Sequence, residues 1–177
     1  MATLHSVILT RIQAFFDVPI MQNNLRGMYV EHLVAELLGE GWDLVGQDWA
    51  AWDIQHSDGT RVEVKQSARR QTWAAPENGS SKPSFSIRVP KFIWKGAAKT
   101  TTNVRPADIY VFAWHGTDGD ESDQRVDGQW QFFVVPASEL PAQNVIGLTS
   151  LKRLTEPTDS VGLRKTANNL RVGRLPA

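Results

Sequence analysis

Two nearly unbroken apolar runs, ADIYVFAWH at 107–115 and WQFFVVP at 130–136, constrain this chain more than any other feature. Each has the length of a strand and falls far below the roughly 20 apolar residues of a membrane span. A half-solvated strand alternates apolar with polar residues; these runs do not, so both faces of each must be covered. A sheet holding two such strands needs packing elements on both sides. The sequence offers helices for that purpose. Val30, Leu33, Val34, Leu37 and Leu38 follow the i, i+3, i+4, i+7, i+8 spacing of a helix that starts near Asn23 or Asn24, either a possible cap, and ends at Gly39 or Gly41. Leu4, Val7, Ile8, Ile12 and Phe15 lie near one face of a helix over 3–16, and a last helix is expected near 159–170.

Between these helices the period changes to two. WDLVGQ at 42–47, AWDIQH at 51–56 and TRVEVKQ at 60–66 read as strands, the last two joined as a hairpin by Ser57-Asp58-Gly59. SFSIRVP at 84–90 is a further strand, RRQTWAAPENGSSKP at 69–83 a polar loop, and ASELPAQ at 137–143 the start of a short helix. The expected class is α/β, a mixed central β-sheet flanked by α-helices. The length of 177 residues suits one domain, with no repeat and no linker. The absence of cysteine excludes disulfides and thiolate metal sites and fits a cytoplasmic protein. The N-terminal segment has no basic n-region, so no signal peptide is expected.

A formal net charge of zero argues at first against a nucleic-acid partner, but the charges fall in blocks. Residues 61–105 carry ten basic against two acidic residues, +8, while 1–60 and 106–141 each carry −6. Phosphate binding depends on the local field, so a neutral total can hide a basic surface. The other outcome is that the blocks mix in space and cancel.

The hairpin carries its own chemistry. Val62 and Val64 share one face of TRVEVKQ, while Arg61, Glu63 and Lys65 share the other. Pairing through the turn brings Asp53 near Glu63 on that second face. Two carboxylates so placed repel unless a cation lies between them, and an oxygen-only donor set suits Mg²⁺, Mn²⁺ or Ca²⁺. A lysine beside them can hold a water or neutralise an oxyanion. Taken alone, the same residues are equally an ordinary solvated strand face. The four histidines have no metal-ligand spacing, and the acidic loop GTDGDESDQ lacks the spacing of an EF-hand.

The order Asp-x9-Glu-x-Lys, with WD at Asp53 and EVK at 63–65, resembles the PD-(D/E)xK nuclease superfamily and its restriction-endonuclease-like fold; Trp52 stands where the family name has proline. The helix RGMYVEHLVAELLGEGWDLV before the hairpin is similar to the family helix that supplies a further glutamate, here Glu31 at the edge of the apolar face, with Glu36 and Glu40 on the solvated side. The resemblance spans residues 24–115 of a single domain over 1–177 and leaves the role of a C-terminal extension at 137–177 open. It implies a metal-dependent endonuclease in which Asp53, Glu63 and the Val64 carbonyl hold Mg²⁺, with Mn²⁺ as a substitute. Lys65 then positions the attacking water or stabilises charge, and Glu31 acts through water or orients the ligands. Gln66 has a supporting contact to phosphate or water. Arg69, Arg70, Lys82, Arg88, Lys91, Lys95 and Lys99 grip the backbone of a nucleic acid, DNA ahead of RNA, and the default assembly is a homodimer. The family also has a helix between the hairpin and the next parallel strand, which this sequence does not display. Tryptophans Trp49, Trp52, Trp73 and Trp94 near the motif and the basic segment fill a core or stack on unpaired bases. A non-catalytic nucleic-acid-binding module or a protein-interaction module on the same fold is the alternative.

Overall fold

The computed structural model describes residues 3–45, 50–73, 82–95 and 98–172, and of Lys95 only the main chain. Helix α1 covers Leu4–Ala14 and α2 covers Asn23–Leu38. A five-stranded sheet follows in the order β1 (Trp42–Leu44), β2 (Ile54–His56), β3 (Arg61–Ala68), β7 (Ile109–His115), β8 (Trp130–Pro136). β1, β2 and β3 form an antiparallel meander, β7 runs parallel to β3, and β8 returns antiparallel to β7. The sheet is therefore mixed, as the sequence leads one to expect.

Both faces of the two apolar strands are covered, by different means. On one face Ile109, Val111 and Ala113 of β7 join Val62 and Val64 of β3 and Phe132 and Val134 of β8. Val30, Val34 and Leu38 of α2 pack there with Leu163 and Ala167 of α4 (Ser160–Asn169). The spacing of four between successive core residues of α2 is what lets one stripe of a helix meet the sheet. Gly39 ends that helix at φ 82°, a conformation that favours glycine, while its N–H still bonds the Ala35 carbonyl. On the other face Tyr110, Phe112 and Trp114 meet Phe133 and Val135. Their cover is a two-stranded ribbon of β4 (Ser84–Ser86) and β9 (Val145–Gly147), with Leu151 of α3 (Leu148–Leu154) behind it. The third unit is a hairpin of β5 (Phe92–Lys95) and β6 (Ala98–Thr101) that, among the described residues, pairs only with itself.

Among the described residues the crossover from β3 to β7 contains strands and no helix, in line with the sequence, which displays none there. Other expectations are corrected. ASELPAQ forms only a three-residue 3-10 turn at Ala137–Glu139, because Leu140 turns into the second core and Pro141 follows. Gln22, not Asn23 or Asn24, is the cap of α2. Helix α1 forms, yet none of its residues is buried. The last helix exists as α4 and is part of the main core. Thr158 exchanges two backbone hydrogen bonds with Phe132, which fastens the segment before α4 to the outer edge of β8. Among the described residues no helix is long and apolar enough to cross a membrane.

Leu163→Ala should cost about 2–5 kcal/mol in urea unfolding, since it empties a fully buried site between α4 and the sheet. Val161→Ala, on the exposed side of the same helix, should change stability by no more than about 0.5 kcal/mol. Equal effects would show that α4 does not hold the core together.

Candidate metal and phosphate site

The hairpin that carries the motif is fixed by its turn. Gly59 takes φ 84°, Asp58 Oδ1 accepts from the Thr60 N–H at 3.0 Å, and the His56 N–H donates to the Thr60 carbonyl at 2.8 Å. The register puts Ile54 opposite Val62 and Gln55 opposite Arg61. One residue further, strand pairing gives way to a side chain. The Asp53 N–H still donates to the Val62 carbonyl at 3.0 Å, while Asp53 Oδ2 accepts from the Val64 N–H at 2.7 Å. The N–H and C=O of one residue in an extended strand point to the same side. On β3, Arg61 and Arg69 bond toward β7, and Val62 and Val64 bond toward Asp53. The Val64 carbonyl therefore points to the edge that Asp53 occupies.

Glu63 and Lys65 lie on the opposite face of β3 from Val62 and Val64, and Lys65 Nζ donates to Glu63 Oε1. The register brings Tyr110 beside Glu63 and Phe112 beside Lys65 on that face. Burial pushes the Asp53 carboxyl above its ordinary value, although Lys65 and the Val64 N–H pull the other way. Burial likewise raises Glu63, with Lys65 opposing and the neighbouring Asp53 adding to the rise. For Lys65, burial works against the ammonium, but Glu63, Asp53 and Glu31 outweigh it and lift its pKa. Glu31 on α2 reaches the same group of charges. Burial, then Asp53, raise it to about 7, against the pull of Lys65 and with a further push from Glu63. Asp53, Glu63, Lys65 and Glu31 thus lie within electrostatic reach of one another, and burial is the largest cause of the rise at each carboxyl.

The four side chains expected at the site, Asp53, Glu63, Lys65 and Glu31, are brought together. The basic residues are not all gathered there. Lys82 lines a cleft of about 450 Å³ with Glu31, Val64 and Lys65, and Arg88 lines one of about 340 Å³ with Glu63, Lys65 and Tyr110. Lys91 is exposed just before β5, and Lys99 lies over the Phe92 ring at 3.6 Å. Lys95 pairs its main chain with Ala98. Arg69 and Arg70 turn away to the acidic loop, Arg69 to Asp118 at 3.9 Å and Arg70 to the Gly119 carbonyl. Gln66 faces α2, where its amide accepts from Arg26 Nε at 2.6 Å and donates to Asn23 Oδ1 at 3.1 Å. Trp49 lies outside the described residues, and Trp73 is exposed on the rim of the Lys82 cleft.

Sequence reading missed Tyr110 and Arg26. Tyr110 belongs to the site through the register of a parallel pair separated by some 40 residues of chain, which no local pattern encodes. Arg26 is fully buried, its pKa lowered to about 10 by burial, and it braces Gln66 and Asn23. A charged residue within the apolar stripe of α2 was the available signal.

Among the described residues no three His, Cys, Asp or Glu side chains gather into a ready metal-binding group. The site offers the Asp53 carboxylate and a main-chain carbonyl at the edge of β3 and the Glu63 carboxylate on the adjoining face, all hard oxygen donors. A cation that keeps several of its waters, as Mg²⁺ does, asks for little more from a protein. No family model matches the sequence, and no curated protein matches it. Among solved structures the chain is similar to a bacterial homing endonuclease, I-Ssp6803I, at 16% identity over 84% of this chain and 92% of that one, with a TM-score of 0.41. At that degree of likeness the function has to be read from the site itself.

A carboxyl raised from 4.5 to about 7 favours the folded state at low pH and loses that contribution as pH climbs through the folded value. Metal-free protein should therefore lose stability between pH 4.5 and 7, and Glu31→Gln should flatten that slope. Thermal melts across the range check this; identical slopes would contradict a desolvated, repelled Glu31.

Proposed function

We propose that this chain is a divalent-metal-dependent nuclease of the PD-(D/E)xK type that hydrolyses phosphodiester bonds, DNA ahead of RNA, as an endonuclease. The observation that carries it is the meeting of Asp53, Glu63, Lys65 and Glu31 at the point where β3 loses its β2 partner. Half-buried carboxylates that repel one another are costly unless a cation joins them. The residues that would hold it are Asp53, Glu63 and the Val64 carbonyl. Mg²⁺, or Mn²⁺ in its place, supplies Lewis acidity at a phosphoryl oxygen and acidifies a water when bound.

The protein groups divide the remaining work. The Val64 N–H fixes one Asp53 oxygen and leaves the other for the cation. Lys65 is held protonated by its acidic neighbours, which makes it a donor to a non-bridging phosphoryl oxygen rather than a base. Glu31, with a pKa of about 7, is matched to receiving or relaying the proton of the attacking water near neutral pH. The water oxygen bonds to phosphorus, a P–O ester bond breaks, and the leaving oxygen takes a proton from solvent. Lys82 and Arg88, on the two clefts that meet at Lys65, would bind backbone phosphates on either side. A homodimer belongs to the same reading through the family resemblance, and a cytoplasmic location through the absence of cysteine.

Purified protein with Mg²⁺ or Mn²⁺ should nick or cut DNA. Lys65→Ala should lower kcat by about 10²–10³-fold, and Asp53→Asn should abolish cleavage. The Asn variant should melt no lower than the parent without metal, since it keeps an acceptor for the Val64 N–H and removes a repelled charge. Cleavage undiminished in both folded variants would refute the assignment.

A further inference from the structure

Beside the Glu63–Lys65 cleft lies a second cavity, of about 610 Å³, whose walls include Trp52, Arg61, Trp94, Thr101 and Arg105. The two spaces adjoin: Ala50, Ala51, Ile93, Trp94 and Pro106 line both. The volume falls in the range of small-ligand sites, roughly 300–1,000 Å³. The Arg61 guanidinium lies over the Trp52 ring at 4.1 Å and borders the cavity. Its Nε is buried and has no hydrogen-bond partner among the described residues. Across from the central sheet, Trp94 stands on the self-paired β5–β6 hairpin, 37% exposed. Flat aromatic surface, a planar cation with an unused donor, and threonine hydroxyls form the chemistry that recognises a planar heterocycle with acceptors on its edge.

We propose that this cavity is a nucleobase pocket that takes one unstacked base of the strand whose phosphate sits at Glu63 and Lys65. The base stacks on Trp94, and an edge acceptor meets the Arg61 guanidinium beside Trp52. The pocket rests on the nuclease reading for its ligand and deepens it, because it makes an unpaired or extruded nucleotide part of the substrate.

The test uses full-length protein in EDTA and fluorescence anisotropy of a short end-labelled oligodeoxynucleotide. A matched set carries one abasic site moved along the strand, single-stranded in one arm and duplex in the other. One abasic position should weaken binding about tenfold, as loss of a base–aromatic stack does. Trp94→Ala should bring the intact oligonucleotide down to that level and erase the positional effect, Arg61→Met should weaken it in part, and Trp94→Phe should keep it. A positional effect confined to single strands identifies an already unpaired base; one in duplex identifies extrusion. Equal binding of all oligonucleotides to the parent, a positional effect that survives Trp94→Ala, or no binding at all overturns the pocket. Cleavage of the same DNAs in Mg²⁺, measured alongside, shows separately whether the nuclease reading stands.

Discussion

Strand β3 is paired along seven residues with β7 on one side and along only two with β2 on the other. The rest of the site depends on that imbalance. The parallel ladder from Val62–Ile109 to Ala68–His115 locks the alternation of β3, so Val62 and Val64 go to the α2–α4 core while Glu63 and Lys65 go to the face beyond. A one-residue slip would send those charges into the core, which the packed valines forbid. On the other side, β3 would present bare main-chain groups where β2 ends. Asp53 covers the first of them with its own side chain. The carboxylate is therefore held by the same interruption that exposes the Val64 carbonyl, and both become available at one edge of an otherwise rigid strand.

The electrostatic consequence follows from the position. Charges at the boundary of a packed sheet lose much of their water, and Lys65 alone does not balance Asp53, Glu63 and Glu31. In an isolated structural ion pair the two partners would relieve each other, and the acid would sit below its ordinary pKa. Here all three carboxyls are raised instead, because burial outweighs the pull of Lys65 at each of them. Asp58 shows the contrast within the same hairpin. Its partly exposed carboxyl takes hydrogen bonds from Thr60 and Arg171 and lies below the usual range. Two aspartates five residues apart are thus pushed in opposite directions, Asp58 down by its hydrogen bonds at the turn and Asp53 up by burial.

The sheet was legible where local pattern and burial agree. The apolar runs at 107–115 and 130–136 are β7 and β8, the spacing from Val30 to Leu38 is α2, and the alternation in TRVEVKQ is β3. The convergence of Asp53 with Glu63 was legible too, because a tight turn fixes register across a hairpin. What escaped depends on distant pairing or on competition for cover. Val145–Gly147 becomes a strand by meeting Ser84–Ser86, some 60 residues earlier and itself foreseen, and α3 follows it only because Leu151 fills the space behind that ribbon. Helix α1 shows the reverse error: its apolar spacing is real, yet Leu4, Ile8 and Ile12 find no cover within the described chain. Periodicity states which face is apolar, and the partner is a separate fact.

Charge shows the same division between order along the chain and position in space. The +8 block is split by the fold. Arg69 and Arg70 leave the sheet at the end of β3 and meet the acidic loop around Asp118, so the bland expectation that blocks cancel holds at that end. Lys82 and Arg88 line the clefts that Lys65 borders, while Lys91 and Lys99 lie at the β5–β6 hairpin. A phosphate backbone approaching Lys65 would meet positive charge from those clefts and hydroxyl and aromatic groups beyond them, while the acids at the centre would repel it in the absence of a cation. Affinity at such a site should therefore be set as much by what neutralises Asp53 and Glu63 as by the number of lysines around them. A net charge of zero over the whole sequence carries no information about that balance.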